Sequence, residues 1–156
     1  MSGTAHTVLA PDGGLRLVSG PGRDLVFKVT GDDTGGAFDY FLCDVVAKSG
    51  PPLHIHNHQA ETIHALKGRY KVRIGEETFT IEEGGFAFLP AGIPHAFFNL
   101  TDESGQVLIV FVPGGGHRFF EELGPATRGG TATREEIAAI FERHDMQLVG
   151  PPLTDD

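Results

Sequence analysis

PPLHIHNHQAETIHALKG, residues 51–68, holds four of the chain's eight histidines. Alternate residues of a strand share a face and lie about 6.6 Å apart along it, so His54 and His56 can present two imidazoles to one point. Glu61 opens the next apolar run, and a short turn after His56 brings its carboxylate to the same place. A fourth donor, His95, stands in the distant segment GIPHAFFN, residues 92–99, where Gly92 and Pro94 mark a turn into a strand. Three imidazoles and one carboxylate suit one divalent transition-metal ion, namely iron, manganese, nickel, cobalt or zinc. Four protein ligands leave one or two positions open on a five- or six-coordinate ion, as a catalytic site requires.

The other histidines read differently. His58 would point at the ion only if the strand ran on past His56, and the turn that delivers Glu61 makes it a rim residue instead. His64 has the opposite parity to Glu61 and faces away from the interior. His6, His117 and His144 fall outside the core segments and are expected in solvent. Cys43, the one cysteine, lies in an apolar strand with no base near it in sequence, so it reads as a small core residue rather than a nucleophile.

Working outward, strand-like segments recur at short intervals. They span 15–19, 24–30, 38–47, 53–56, 61–67, 70–74, 78–82, 86–89, 95–99 and 106–112, separated by turn residues such as Gly68 and Gly75. Tyr70, Val72 and Ile74 alternate with Lys71 and Arg73, the period of a strand with one buried face. QVLIVFV, residues 106–112, is apolar almost throughout and predicts a strand covered on both faces. The 22 glycines and 10 prolines in 156 residues fit many short strands better than a helical bundle. The sequence therefore predicts an all-β sandwich or barrel of the jelly-roll kind, residues 14–115, behind an irregular arm at 1–13. Residues 116–156 form a C-terminal helical extension. It has one helix over 117–123, stopped by Gly124-Pro125, and a second over 134–144. Thr133 and Glu136 make a capping box for the second helix, and Ile137, Ile140 and Phe141 form an apolar stripe for the barrel or a partner subunit. The ending GPPLTDD reads as a tail.

The formal charge of −9, with no Lys or Arg run, argues against nucleic acid and anionic membranes as partners. The N-terminus has no basic region followed by an apolar stretch, and no apolar run approaches membrane-helix length. A single cysteine fits a reducing compartment, so a cytoplasmic protein is expected. An exposed sheet edge and a Phe-rich C-terminal segment predict a homodimer.

Two spaced motifs carry a family resemblance. Pro52-Leu53-His54-Ile55-His56, four residues, Glu61, six residues, Gly68 resembles the first motif of the cupin superfamily. Gly84, five residues, Pro90-Ala91-Gly92-Ile93-Pro94-His95, three residues, Asn99 resembles the second at every spacing. One departure is Lys48, which stands where the first motif usually has glycine, so a turn shortened toward Gly50 is expected there. The resemblance implies a double-stranded β-helix with His54, His56, Glu61 and His95 as metal ligands. PPLHIHNHQAETIHALKG, FLPAGIPHAFFN and PGGGHRFFEELG look most like the small quercetin-dioxygenase-like group. That likeness implies a metal-dependent dioxygenase acting on a phenolic or enolisable small molecule with dioxygen, and gives Glu61 the role of catalytic base. The same ligands also serve zinc-type cyclases, isomerases or lyases, or a binding module without turnover. By parity, Ile63, Ala65 and Phe97 should join the ligands in an apolar pocket, with Phe41, Phe86 and Phe88 as further wall residues.

Overall fold

The computed structural model describes residues 5–156; the first four residues of the expected arm lie outside that range. Residues 5–13 carry neither helix nor strand. The strands follow in chain order: β1 (Leu15–Val18), β2 (Asp24–Val29), β3 (Asp39–Val45), β4 (Pro52–His56), β5 (Ala60–Lys67), β6 (Tyr70–Ile74), β7 (Glu77–Ile81), β8 (Phe86–Leu89), β9 (His95–Asn99), β10 (Gly105–Val112) and, after two helices, β11 (Met146–Pro152). They pair antiparallel into a six-stranded sheet, β1-β2-β3-β10-β5-β8, and a five-stranded sheet, β11-β4-β9-β6-β7. This is the expected jelly roll.

The core lies between the sheets. Leu25, Phe27, Phe41, Val45, Ile63, Ala65, Tyr70, Val72, Val107 and Ile109 are all buried there. Phe27 stacks on Phe41 with ring centroids 4.3 Å apart. Burying a side chain of this size contributes roughly 2–3 kcal/mol, so the apolar inner faces hold the sheets together. β10 departs from the expectation of two covered faces: Val107, Ile109 and Phe111 are buried, whereas Leu108 and Val110 are only half-buried. β3 and β5 flank it on either side.

The turn before β4 is not shortened. Lys48 adopts a left-handed conformation, φ 53°, the geometry for which glycine is the usual solution. Its ammonium ties that turn to the Leu100 carbonyl at 2.6 Å and to Asp155 at 2.8 Å.

Helix α1 (His117–Arg128) runs through Gly124 and Pro125 rather than stopping there. Gly124 lets the helix lie on β1, since a Cβ at this position would meet the Val18 carbonyl oxygen at 2.7 Å. Apolar packing of Phe119 and Leu123 offsets the backbone hydrogen bond that Pro125 cannot make. Helix α2 (Arg134–Arg143) begins at Thr133 with both halves of the capping box formed. Its Ile140 and Phe141 pack with Phe119, Leu123 and Met146. The expected tail begins inside a strand: β11 runs through Gly150–Pro152 and pairs with β4, placing Met146 opposite His56 and Leu148 opposite His54. Among the described residues no helix is long and apolar enough to cross a membrane.

Candidate metal centre

The two sheets contribute different donors. His54 and His56 lie on β4 and His95 on the adjacent β9, with His54 directly opposite His95 in the register. Glu61 comes from β5 in the other sheet, between Leu89 of β8 and Phe111 of β10. Facing one another across the interior, the four residues bring one ligand atom each within 4.8 Å of the others. Such a cluster can hold one metal ion. His56, Glu61 and His95 are buried and His54 is half-buried.

The far side of each imidazole is held. His54 Nδ1 lies 2.8 Å from the Pro52 carbonyl and His95 Nδ1 lies 3.2 Å from the Ile93 carbonyl. A carbonyl only accepts, so both Nδ1 atoms carry the proton. His56 Nδ1 donates to Gln59 Oε1 at 2.8 Å, and Gln59 Nε2 in turn donates to the Pro113 carbonyl at 2.8 Å. With Nδ1 engaged, Nε2 is the donor each ring turns toward the site, the arrangement that fixes metal-binding imidazoles. The residues therefore fit a divalent transition metal in both donor chemistry and orientation.

Glu61 Oε2 lies 2.9 Å from His95 Nε2 and 3.3 Å from His56 Nε2. Burial opposes the charge on Glu61, but the neighbouring His95 and His56 outweigh it and hold the carboxyl well below the usual carboxylate range. Burial likewise pulls His95 down, and contact with Glu61 reverses that, leaving it raised. His54 has no such contact; burial, reinforced by the other two imidazoles, depresses it well below its ordinary value and keeps it neutral. A neutral imidazole and an ionised carboxylate are the forms that ligate.

A mostly apolar cavity of about 60 Å³ opens beside His54, His56 and Glu61. Phe41 and Phe97 line it, as do Phe119, Phe120 and Phe141 from the helices. Ile63 and Ala65 are fully buried in the core cluster and are not among its wall residues. The placement of Phe86 and Phe88 needs correction: both are exposed, 59% and 55%, on the outside of the barrel. The register pairs Leu89 with Glu61 and Phe88 with Thr62. Residues directly opposite in an antiparallel pair share a face. Ala87 and Leu89 therefore follow Glu61 inward, and the phenylalanines follow Thr62 and His64 outward.

His58 stands at the rim, its side chain 82% exposed and its Nδ1 2.6 Å from Asp145. His64 lies on the outer face against Phe86. His6 is exposed, whereas His144 is half-buried and bonded to Glu122. His117 corrects the expectation of a solvated side chain: it is buried at the start of α1, edge-on to Phe27, with Nε2 3.2 Å from Asp32. Sequence reasoning missed Gln59, Arg23 and the aromatic wall from α1 and α2. Gln59 lies between two ligands and could have been suspected; the others meet the site only through long-range packing.

Comparison with known proteins agrees with this geometry. Residues 41–111 match the family model described as the cupin domain. Over 88 residues, 52% of the chain, it is 30% identical to quercetin 2,3-dioxygenase of Bacillus subtilis (strain 168), 26% of whose length is covered. The chain spans between about a quarter and about half the length of the curated relatives it matches. A sugar phosphate isomerase from a cupin superfamily, of Silicibacter pomeroyi DSS-3, shares 24% identity and a TM-score of 0.57 over 67% of this chain and 74% of that one. KdgF from Halomonas sp. shares 12% identity with a TM-score of 0.64, over 72% of this chain and 98% of that one. At such identities the likeness is one of fold. Residues 41–111 thus resemble a cupin domain, and the jelly roll around them is the fold of these structures.

Proposed function

We propose that the chain is a metal-dependent dioxygenase of the quercetinase-like kind, acting with dioxygen on a phenolic or enolisable small molecule. The observation that carries this reading is Glu61, a buried carboxylate set among three oriented imidazoles at the wall of an apolar cavity. The partial likeness to quercetin 2,3-dioxygenase supports it. When bound, the ion supplies Lewis acidity toward a substrate oxygen and, if redox-active, electron exchange with dioxygen.

The chain's own residues do the rest. His54, His56 and His95 would hold the ion through Nε2. Both imidazole contacts of Glu61 fall on Oε2, which supports a role for Oε1 in taking the proton of a substrate hydroxyl or an acidic C–H. The phenylalanine walls exclude water around that transfer.

Metal analysis and oxygen uptake test the reading, using protein loaded with iron, manganese, nickel or cobalt and a panel of flavonols and β-diketones. Oxygen consumption is expected, with Glu61→Gln keeping its metal and losing at least 100-fold in turnover. Wild-type metal content in both His54→Ala and His95→Ala would remove the site assignment. Full turnover in metal-replete Glu61→Gln would remove the base role. Zinc in the purified protein, with product formed and no oxygen consumed, would replace the oxygenase by a Lewis-acid cyclase, isomerase or lyase.

A further inference from the structure

The cavity beside the metal centre contains one cation among its walls. Arg23, at the start of β2's approach from the β1–β2 turn, lines the same chamber as His54, His56, Glu61, Phe41 and Phe97. Its Nε donates to Ser19 Oγ at 3.1 Å and one terminal nitrogen donates to the Gly50 carbonyl at 3.4 Å. Both partners are neutral, and they engage two of the five N–H donors of a guanidinium. The side chain is half-buried, and burial depresses its basicity, so its charge is only partly solvated. Other arginines that meet a partner charge do so at the surface, as Arg118 does with Asp32 and Arg143 with Glu122.

A half-buried guanidinium with uncommitted donors in the wall of an apolar chamber is a receptor for a carboxylate, which it can take in bidentate fashion. We propose that Arg23 is the specificity-determining anchor of the substrate, and that the substrate is a small organic acid. Its carboxylate binds Arg23, while its ketone, enol or phenol oxygen reaches Glu61 and the three histidines. The proposal rests on the cavity being the substrate site of the metal-dependent enzyme described above. It narrows the class from any phenolic or enolisable compound to one with an anionic group at the end remote from the reacting oxygen. It also lowers the charge of the chamber, because an ion of charge +2 with Glu61 and Arg23 leaves it net positive and a carboxylate offsets part of that.

Calorimetric titration of cobalt-loaded protein with 4-oxopentanoate and with its neutral methyl ester tests this. Wild-type protein is expected to bind the acid at least tenfold more tightly than the ester. Arg23→Gln should erase that preference while leaving metal content and ester affinity unchanged. Arg23→Lys separates anchoring from a purely structural role: a lysine cannot reproduce the fork onto Ser19 and Gly50, yet it keeps the charge and should keep much of the preference. Equal affinities in wild type, no measurable binding of the acid, or an undiminished preference in Arg23→Gln would overturn the proposal. If Arg23→Gln fails to fold, the wild-type ratio and Arg23→Met decide: a folded Arg23→Met protein, which has no charge at this position, that keeps the preference counts against the anchor. These outcomes are read as binding ratios in metal-loaded protein, so they are distinct from a failure of the oxygenase reading, which shows as absent turnover or absent metal.

Discussion

A carbonyl oxygen on the far nitrogen of each imidazole fixes which nitrogen faces the site. For His54 and His95 that oxygen is backbone, from Pro52 and Ile93, and cannot be removed by substitution. For His56 it is the Gln59 side chain. Gln59→Ala is therefore expected to fold normally and to weaken metal affinity 10–100-fold, measured by competition with a chromophoric chelator. Unchanged affinity would show that the strand alone aims His56. Cys43 supplies a second test at this scale. Burial pushes its thiol up to about 12, with nearby Arg23 opposing. The folded state therefore keeps the proton where an unfolded chain, near pH 9, loses it, and the associated stability is present below about pH 9 and lost as pH rises toward 12. Iodoacetamide at pH 8.5 should leave Cys43 unmodified in native protein and alkylate it in urea.

Helices α1 and α2 and strand β11 are the elements through which the C-terminal segment reaches the site. Gly124 sits where the helix touches the Val18 carbonyl, so Gly124→Val forces the helix off β1 and should cost about 1–3 kcal/mol, read as a lower denaturation midpoint. At the start of α2, Thr133→Ala removes one half of the capping box and should cost about 1 kcal/mol without changing metal content. β11 matters differently, because Met146 and Leu148 lie opposite His56 and His54. It borders the strand that carries two ligands. Nothing in GPPLTDD announced this pairing: β11 includes Gly150 and two prolines, and it holds its place by register against β4 rather than by intrinsic propensity. The helix stop expected at Gly124-Pro125 failed for a related reason, since tertiary packing outweighed a local breaker.

Across the whole molecule the donors straddle the two sheets, three histidines from one and Glu61 from the other. An ion there would clamp the sandwich, and binding to the folded state alone stabilises it by about 2.7 kcal/mol at a free metal concentration 100 times Kd. Scanning calorimetry should show the melting temperature rising with added cobalt or nickel and falling with chelator, and the shift should vanish in His54→Ala. A homodimer remains the expected assembly, and light scattering of a monomer at micromolar concentration would contradict it. The exposed Phe86 and Phe88 on edge strand β8 are the surface on which to look for it.

The fold class and the four donors were legible in the sequence because each depends on local spacing. Period-2 alternation marks strands, turn residues separate them, and His-x-His places two imidazoles on one face whatever surrounds them. Inward and outward faces were legible where a ligand or a strict alternation set the parity: Ile63 and Ala65 follow Glu61 inside and Tyr70 and Val72 face the core, whereas Phe86 and Phe88 needed the β5–β8 register. Burial of His117, the Gln59 bridge, the aromatic wall from α1 and α2, and Arg23 beside the metal centre were decided by tertiary structure alone. Each depends on segments tens of residues apart meeting in the barrel, and no local pattern encodes which of them will meet.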